Sequence, residues 1–135
     1  MASADLALRK AIRNRLLGDS ALVAALGGAR VHDAPPRGAP KPYVAFAQSR
    51  SRDWSAQGAP GREHELTLDV WSAQDGVREA LDIAERVRAL LDDAALPLEG
   101  FALARLDVGE ILAARELAAR LSRARIRLRA FTEPL

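Results

Sequence analysis

Hydrophobic and polar positions recur along this chain with two periods, and the switches between them mark its elements. Leu8, Ala11, Ile12 and Leu16 fall on one helical face. Ser3 stands ahead of them as an N-cap, and Asp5 suits the positive end of the helix. Gly18 ends that helix, and Asp19 or Ser20 caps a short second one over 21–26, which Gly27 and Gly28 stop. Val31 sits in a short strand. Residues 34–42 hold four of the seven prolines and read as a stiff, extended loop. Residues 43–47 form a strand, and the polar stretch 48–62 is a long loop or a projecting hairpin carrying Trp54. Over 63–71 the period becomes two, with Leu66, Leu68 and Val70 on one face and Glu65, Thr67, Asp69 and Trp71 on the other. Helical spacing returns in Val77, Leu81, Ala84, Val87 and Leu91, widened by Ile83 and Leu90, with Asp75 as the expected cap and an end near Asp93. Phe101, Leu103, Leu106, Val108 and Ile111 suggest a further strand with an irregularity near Gly109. The last strand is the cleanest: Ala124, Ile126, Leu128 and Ala130 alternate with Arg123, Arg125, Arg127 and Arg129.

The order is thus α-α-(β)-β-β-α-β-β. Strands that follow one another in sequence favour antiparallel pairing. The expected class is α+β: a mostly antiparallel sheet of four or five strands with helices packed on one face. At 135 residues the chain has room for one domain, spanning 1–135, whose core needs no staples.

Composition narrows the chemistry. With no cysteine, disulfides, zinc–thiolate sites and thiol nucleophiles are excluded. His32 and His64 are the only histidines, and neither has a second histidine at metal-binding spacing. His64 points away from its neighbours Glu63 and Glu65 and reads as a structural histidine. Neither a nucleophile-elbow Gly-x-Ser-x-Gly nor a phosphate-cradling Gly-x-x-x-x-Gly-Lys-Ser/Thr occurs. No catalytic residue, cofactor or metal is therefore expected. No apolar run approaches the roughly 20 residues of a membrane span, and the opening Met1–Leu6 lacks a signal peptide's basic and apolar regions.

The formal charge is only +2, but it is segregated. Residues 63–110 carry twelve acidic and four basic side chains, and the flanking segments are all basic. Such segregation points to self-complementary contacts, within or between copies. Four arginines on one face of a strand, about 6.5–7 Å apart, repel one another unless compensated. Glu63, Glu65 and Asp69 repeat at the same period on another strand. If the two strands are neighbours the charges match across the sheet; otherwise they match across a subunit boundary. A plain solvated face and contact with phosphates are the other readings, but a strand-borne nucleic-acid platform interleaves aromatic residues for stacking, and here only Phe131 follows. Trp54 either folds back onto the body of the protein or anchors an interface.

Certain stretches resemble the tail-completion family of long-tailed phages and gene transfer agents. They are Arg52-Asp53-Trp54-Ser55, the run from Gly61 to Ser72, Pro42-Tyr43-Val44, the ending from Arg127 to Pro134, and the opening helix with its short successor. The likeness covers nearly the whole chain, and its motifs are structural rather than catalytic. One departure is the segment 114–120, where family members often carry an Asp-Gly turn. The resemblance implies a tail terminator: a subunit of a homohexameric ring in the virion or virion-like particle. Such a ring caps the head-proximal end of the tail tube and offers its other face to the head–tail connector, and DNA passes through the lumen without sequence-specific contact. On that reading Arg50, Arg52 and Trp54 touch a neighbouring subunit, tube or connector, and the arginine strand pairs with Glu63, Glu65 and Asp69 within the sheet or across the ring. Two rivals stay open: a small basic nucleic-acid-binding module using the last strand, and a small enzyme with an unrecognised site.

Overall fold

The structure, a computed structural model, describes residues 3–55 and 58–135. Helix α1 runs Ala4–Leu17 and begins where the Ser3 hydroxyl accepts from the Leu6 N–H at 3.2 Å. Its stripe of Leu8, Ala11, Ile12 and Leu16 is buried. Helix α2, Ser20–Leu26, is capped by Asp19, whose carboxylate accepts from the Leu22 N–H at 2.9 Å. Gly27 closes it in the left-handed region at φ 83°, which a side chain would resist.

Among the described residues five strands form one sheet in the order β1-β2-β3-β5-β4. Strand β1 (Val31–His32) lies parallel to β2 (Tyr43–Asp53), and every other pairing is antiparallel. Strand β3 is Arg62–Ser72, helix α3 is Arg78–Leu91, β4 is Phe101–Glu116 and β5 is Leu121–Pro134. The class is α+β as expected, with one short parallel strand making the sheet mixed.

The core lies between the three helices and one face of this sheet. Leu66, Leu68 and Val70 of β3 and Ala124, Ile126, Leu128 and Ala130 of β5 are buried there with Ile83, Ala84, Val87 and Leu91 of α3. Full burial of each large apolar side chain contributes about 1.5–3 kcal/mol. His64 lies on this face too, fully buried, with Nε2 2.9 Å from the Thr132 hydroxyl. Burial lowers its pKa, and Asp5 opposes that shift only in part.

Three expectations need correction. Strand β2 does not stop at Ala47 but continues to Asp53, after a bulge between Phe46 and Ser49. Of the two readings of the polar stretch, the hairpin holds: most of it is a limb paired with β3 through backbone bonds that need no apolar side chains. Helix α3 begins at Arg78 with no side-chain cap, so Asp75 does not start it. Glu79 instead accepts from the Ser72 hydroxyl at 2.7 Å and from the Gln74 amide at 3.2 Å, tying the helix start to the end of β3. Strand β4 runs on to Glu116, leaving residues 117–120 as the turn into β5, with Arg120 at φ 54°. The irregularity near Gly109 is a bulge between Val108 and Ile111.

Candidate functional site: the charged face of the sheet

The side chains that alternate with the core residues project from the opposite face of the sheet, which no helix covers among the described residues. Strands β3 and β5 are neighbours, so the acidic series and the arginine series meet side by side. Asp69 lies directly across from Arg125 and takes a fork of two bonds, both 2.8 Å. This pairing raises the Arg125 pKa.

The next match is diagonal. Arg129 sits across from Glu65 by register, yet its Nε donates to Glu63 at 2.6 Å. Glu63 also accepts a fork from Arg52, at 3.0 and 3.1 Å. The Arg52 fork and then the Arg129 bond hold the Glu63 carboxyl down to about 2. Glu65 is left to Arg50, which donates at 2.6 Å and lowers its pKa. Arg50 and Arg52 reach these carboxylates because β2 stays paired with β3 beyond the bulge, placing Arg50 across from Glu65 and Arg52 across from Glu63.

The remaining two arginines of the ladder differ. Arg123 lies over the Trp71 ring, 5.5 Å from its centroid, and stands 3.4 Å from Glu116. Arg127 is exposed and makes no ion pair among the described residues. It faces Thr67, between the bulge of β2 and the bulge of β4. An open groove of about 970 Å³ occupies this row, lined among others by Ala47, Gln48, Thr67, Gly109, Glu110 and Arg127.

Trp54 follows the end of β2 and folds back onto Phe131, ring centroids 4.6 Å apart, while remaining 42% exposed. The Trp54 N–H donates to the Gly61 carbonyl at 2.9 Å. Gly61 has to be glycine for a steric reason, since a Cβ there would stand 2.9 Å from the Trp54 ring. Arg129 lies over the other partner, 5.2 Å from the Phe131 centroid. Trp54, Phe131, Arg52, Arg129 and Glu63 thus form one preorganised cluster at the hairpin end of the face.

The period-two pattern anticipates the pairing of Arg125 and Arg129 with the acidic series, but not the turn of Arg123 to Trp71 and Glu116, nor an Arg127 without an ion pair among the described residues. The sequence leaves residues 48–62 open between a long loop and a projecting hairpin, so it does not place Arg50 and Arg52 beside Glu65 and Glu63. The signal was present: Arg50 and Arg52 alternate with Ser49, Ser51 and Asp53. Nothing in the sequence announced Phe131 as the seat of Trp54, or Glu116 as a partner of Arg123. No group of three His, Asp or Glu side chains that could hold a metal occurs among the described residues.

Fold and face together define a small α+β protein that sets a helix-packed core against a wide, internally neutralised sheet surface. The family described as Tail completion protein gp17 matches residues 10–133. The chain belongs to that family of structural phage tail proteins. A chain from the virion of a native gene transfer agent particle is 28% identical, with a TM-score of 0.88 over 98% of this chain and 99% of that one. The gp17 protein of bacteriophage SPP1 shares the fold at 24% identity, with a TM-score of 0.62 over 94% of this chain and 89% of that one. No curated protein sequence matches the chain.

Proposed function

We propose that this chain is a non-enzymatic tail terminator, a single domain whose copies close into a homohexameric ring within a virion or virion-like particle. The ring caps the head-proximal end of the tail tube and presents its other face to the head–tail connector, with DNA passing through its opening. The observation that carries this reading is the likeness, over nearly the full length of both chains, to a component of a gene transfer agent virion. Family membership supports the same role.

Ring closure requires one patch to meet a different patch on the next copy. The charged face is suited to that use. Asp69 and Arg125 hold each other, as do Glu63 and Arg129, while Arg50 holds Glu65 and Glu116 stands beside Arg123, so little ordering remains to be lost when a neighbour docks. Arg50, Arg52, Trp54 and Arg127 stay accessible at its margin or along its groove. Tryptophan and arginine held in place are the residues that dominate interface energetics, and opposite charges give register and specificity more than affinity.

The pairing also weakens the rival reading of a nucleic-acid platform, because three of the arginines on the last strand are already engaged by carboxylates. That rival predicts binding that falls steeply with salt, whereas the terminator reading predicts no measurable retention of duplex DNA at moderate salt. The direct test is mixing with tail-tube and connector proteins of the same particle. Co-sedimentation with either supports the role; a chain that binds neither and stays monomeric at high concentration refutes it.

A further inference from the structure

The sheet has two edges, and each is open over only part of its length. In an antiparallel ladder, residues that aim both backbone groups at the partner strand alternate with residues that aim them away. The Val44 N–H donates to the Arg30 carbonyl at 2.9 Å, so Val44 aims away from β3. Carried along the register and through the bulge, the same phase makes Ser49, Ser51 and Asp53 aim outward. Strand β1 covers only Val44 and Ala45, so the outer edge of Ser49–Asp53 is unpaired among the described residues. On β4, Asp93 donates its N–H to the Leu106 carbonyl and Asp92 accepts from the Val108 N–H, both at 2.9 Å. This clasp covers the middle of the β4 edge. Beyond the bulge between Val108 and Ile111, Ile111, Ala113 and Arg115 aim outward with no such cover among the described residues.

From these two half-edges we infer that a second copy of this chain joins by strand addition, with Ile111–Glu116 of one copy running antiparallel to Ser49–Asp53 of the next and Ala113 opposite Ser51. This rests on the ring reading and names its joint. Three features support it. Strands β2 and β4 run in opposite directions, so a rotated copy meets β4 antiparallel and the alternation continues unbroken around a closed assembly. Ser51 and Ala113 stand on rows six residues apart along β5, at Ala130 and Ala124. That stagger is about 20 Å across a four-strand width of about 19 Å, a strand tilt of about 45°, at the upper end of the range that closed barrels use. Finally, the unpaired half of β4 carries Leu112, 53% exposed. In this register Leu112 is diagonal to Trp54 of the neighbour and Glu116 is diagonal to Arg50, both within side-chain reach. The joint would remove the open strand edges that otherwise invite unplanned pairing.

Because the natural chain has no cysteine, the test has no background. Ala114→Cys and Arg50→Cys, together in one chain, become direct neighbours across the joint. Oxidation is expected to give a ladder of covalent oligomers, absent from either single variant and from a control joining Ala114→Cys to Arg37→Cys. In parallel, Ala113→Pro removes an outward N–H and spares the β5 ladder. It is expected to keep the wild-type circular dichroism and to lose at least 10-fold in assembly, while Ala114→Pro, which strikes an inward N–H, unfolds the sheet. Rings of wild-type mass that do not crosslink, or an Ala113→Pro protein that assembles normally, would overturn the joint and leave the ring standing. A wild-type chain that is monomeric at high concentration, together with a double-cysteine variant that does not crosslink, would remove both.

Discussion

Glu63 receives the fork of Arg52 on one side and the Nε of Arg129 on the other, and its carboxyl titrates at about 2 rather than near 4.5. A carboxyl depressed in the folded state stabilises the fold above its unfolded pKa, and that contribution is lost as pH falls through the folded one. Acid unfolding should therefore show a limb between about pH 4.5 and 2. Glu63→Gln should flatten it and lower stability at neutral pH, as followed by circular dichroism across a pH series. His64 adds a second limb at higher pH. Its lowered pKa means that the unfolded chain binds a proton the folded chain refuses, so stability is full above about 6.5 and declines below it. Gly61 makes a different prediction. Its Cβ-less backbone admits the Trp54 ring, so Gly61→Ala should push Trp54 off Phe131, seen as a red shift in tryptophan emission and a loss of about 1–3 kcal/mol from overpacking.

At the scale of elements, alternation and capping residues carried most of the fold. Ser3, Asp19 and Gly27 act where their chemistry predicts. The alternations in β3 and β5 gave both the buried face and the charged one. Ile126 is fully buried at the centre of β5, and Ile126→Ala should cost about 2–5 kcal/mol in denaturant unfolding. What was not legible depends on partners distant in sequence. The second half of β2 is polar on both faces, since Ser49 leaves the core to bond Arg9 and Asp5 of α1. Hydrophobic period therefore could not mark it as strand. The diagonal Arg129–Glu63 bond depends on Arg50 claiming Glu65, a competition that arises only once three strands are aligned. The start of α3 was misplaced because the Ser72–Glu79 bond, not a capping side chain, sets its entry.

At the scale of the whole molecule, a formal charge of +2 conceals a chain whose opposite charges lie in adjacent strands. Most are spent on each other, which makes the sheet face stiff and leaves specificity to the few groups still available at its margins. Strand edges complete the picture: among the described residues, one open half-edge lies at the hairpin end of β2 and one at the far end of β4. On the proposed ring reading, each contact between copies needs roughly 800 Å² per partner to persist.

The mass of the purified protein in solution over a wide concentration range, read by native mass spectrometry or sedimentation, tests that claim most directly. A discrete six-copy species, formed alone or on addition of tail-tube protein, is the predicted result. A chain that remains a single copy at every concentration, with and without tube and connector proteins, would contradict it.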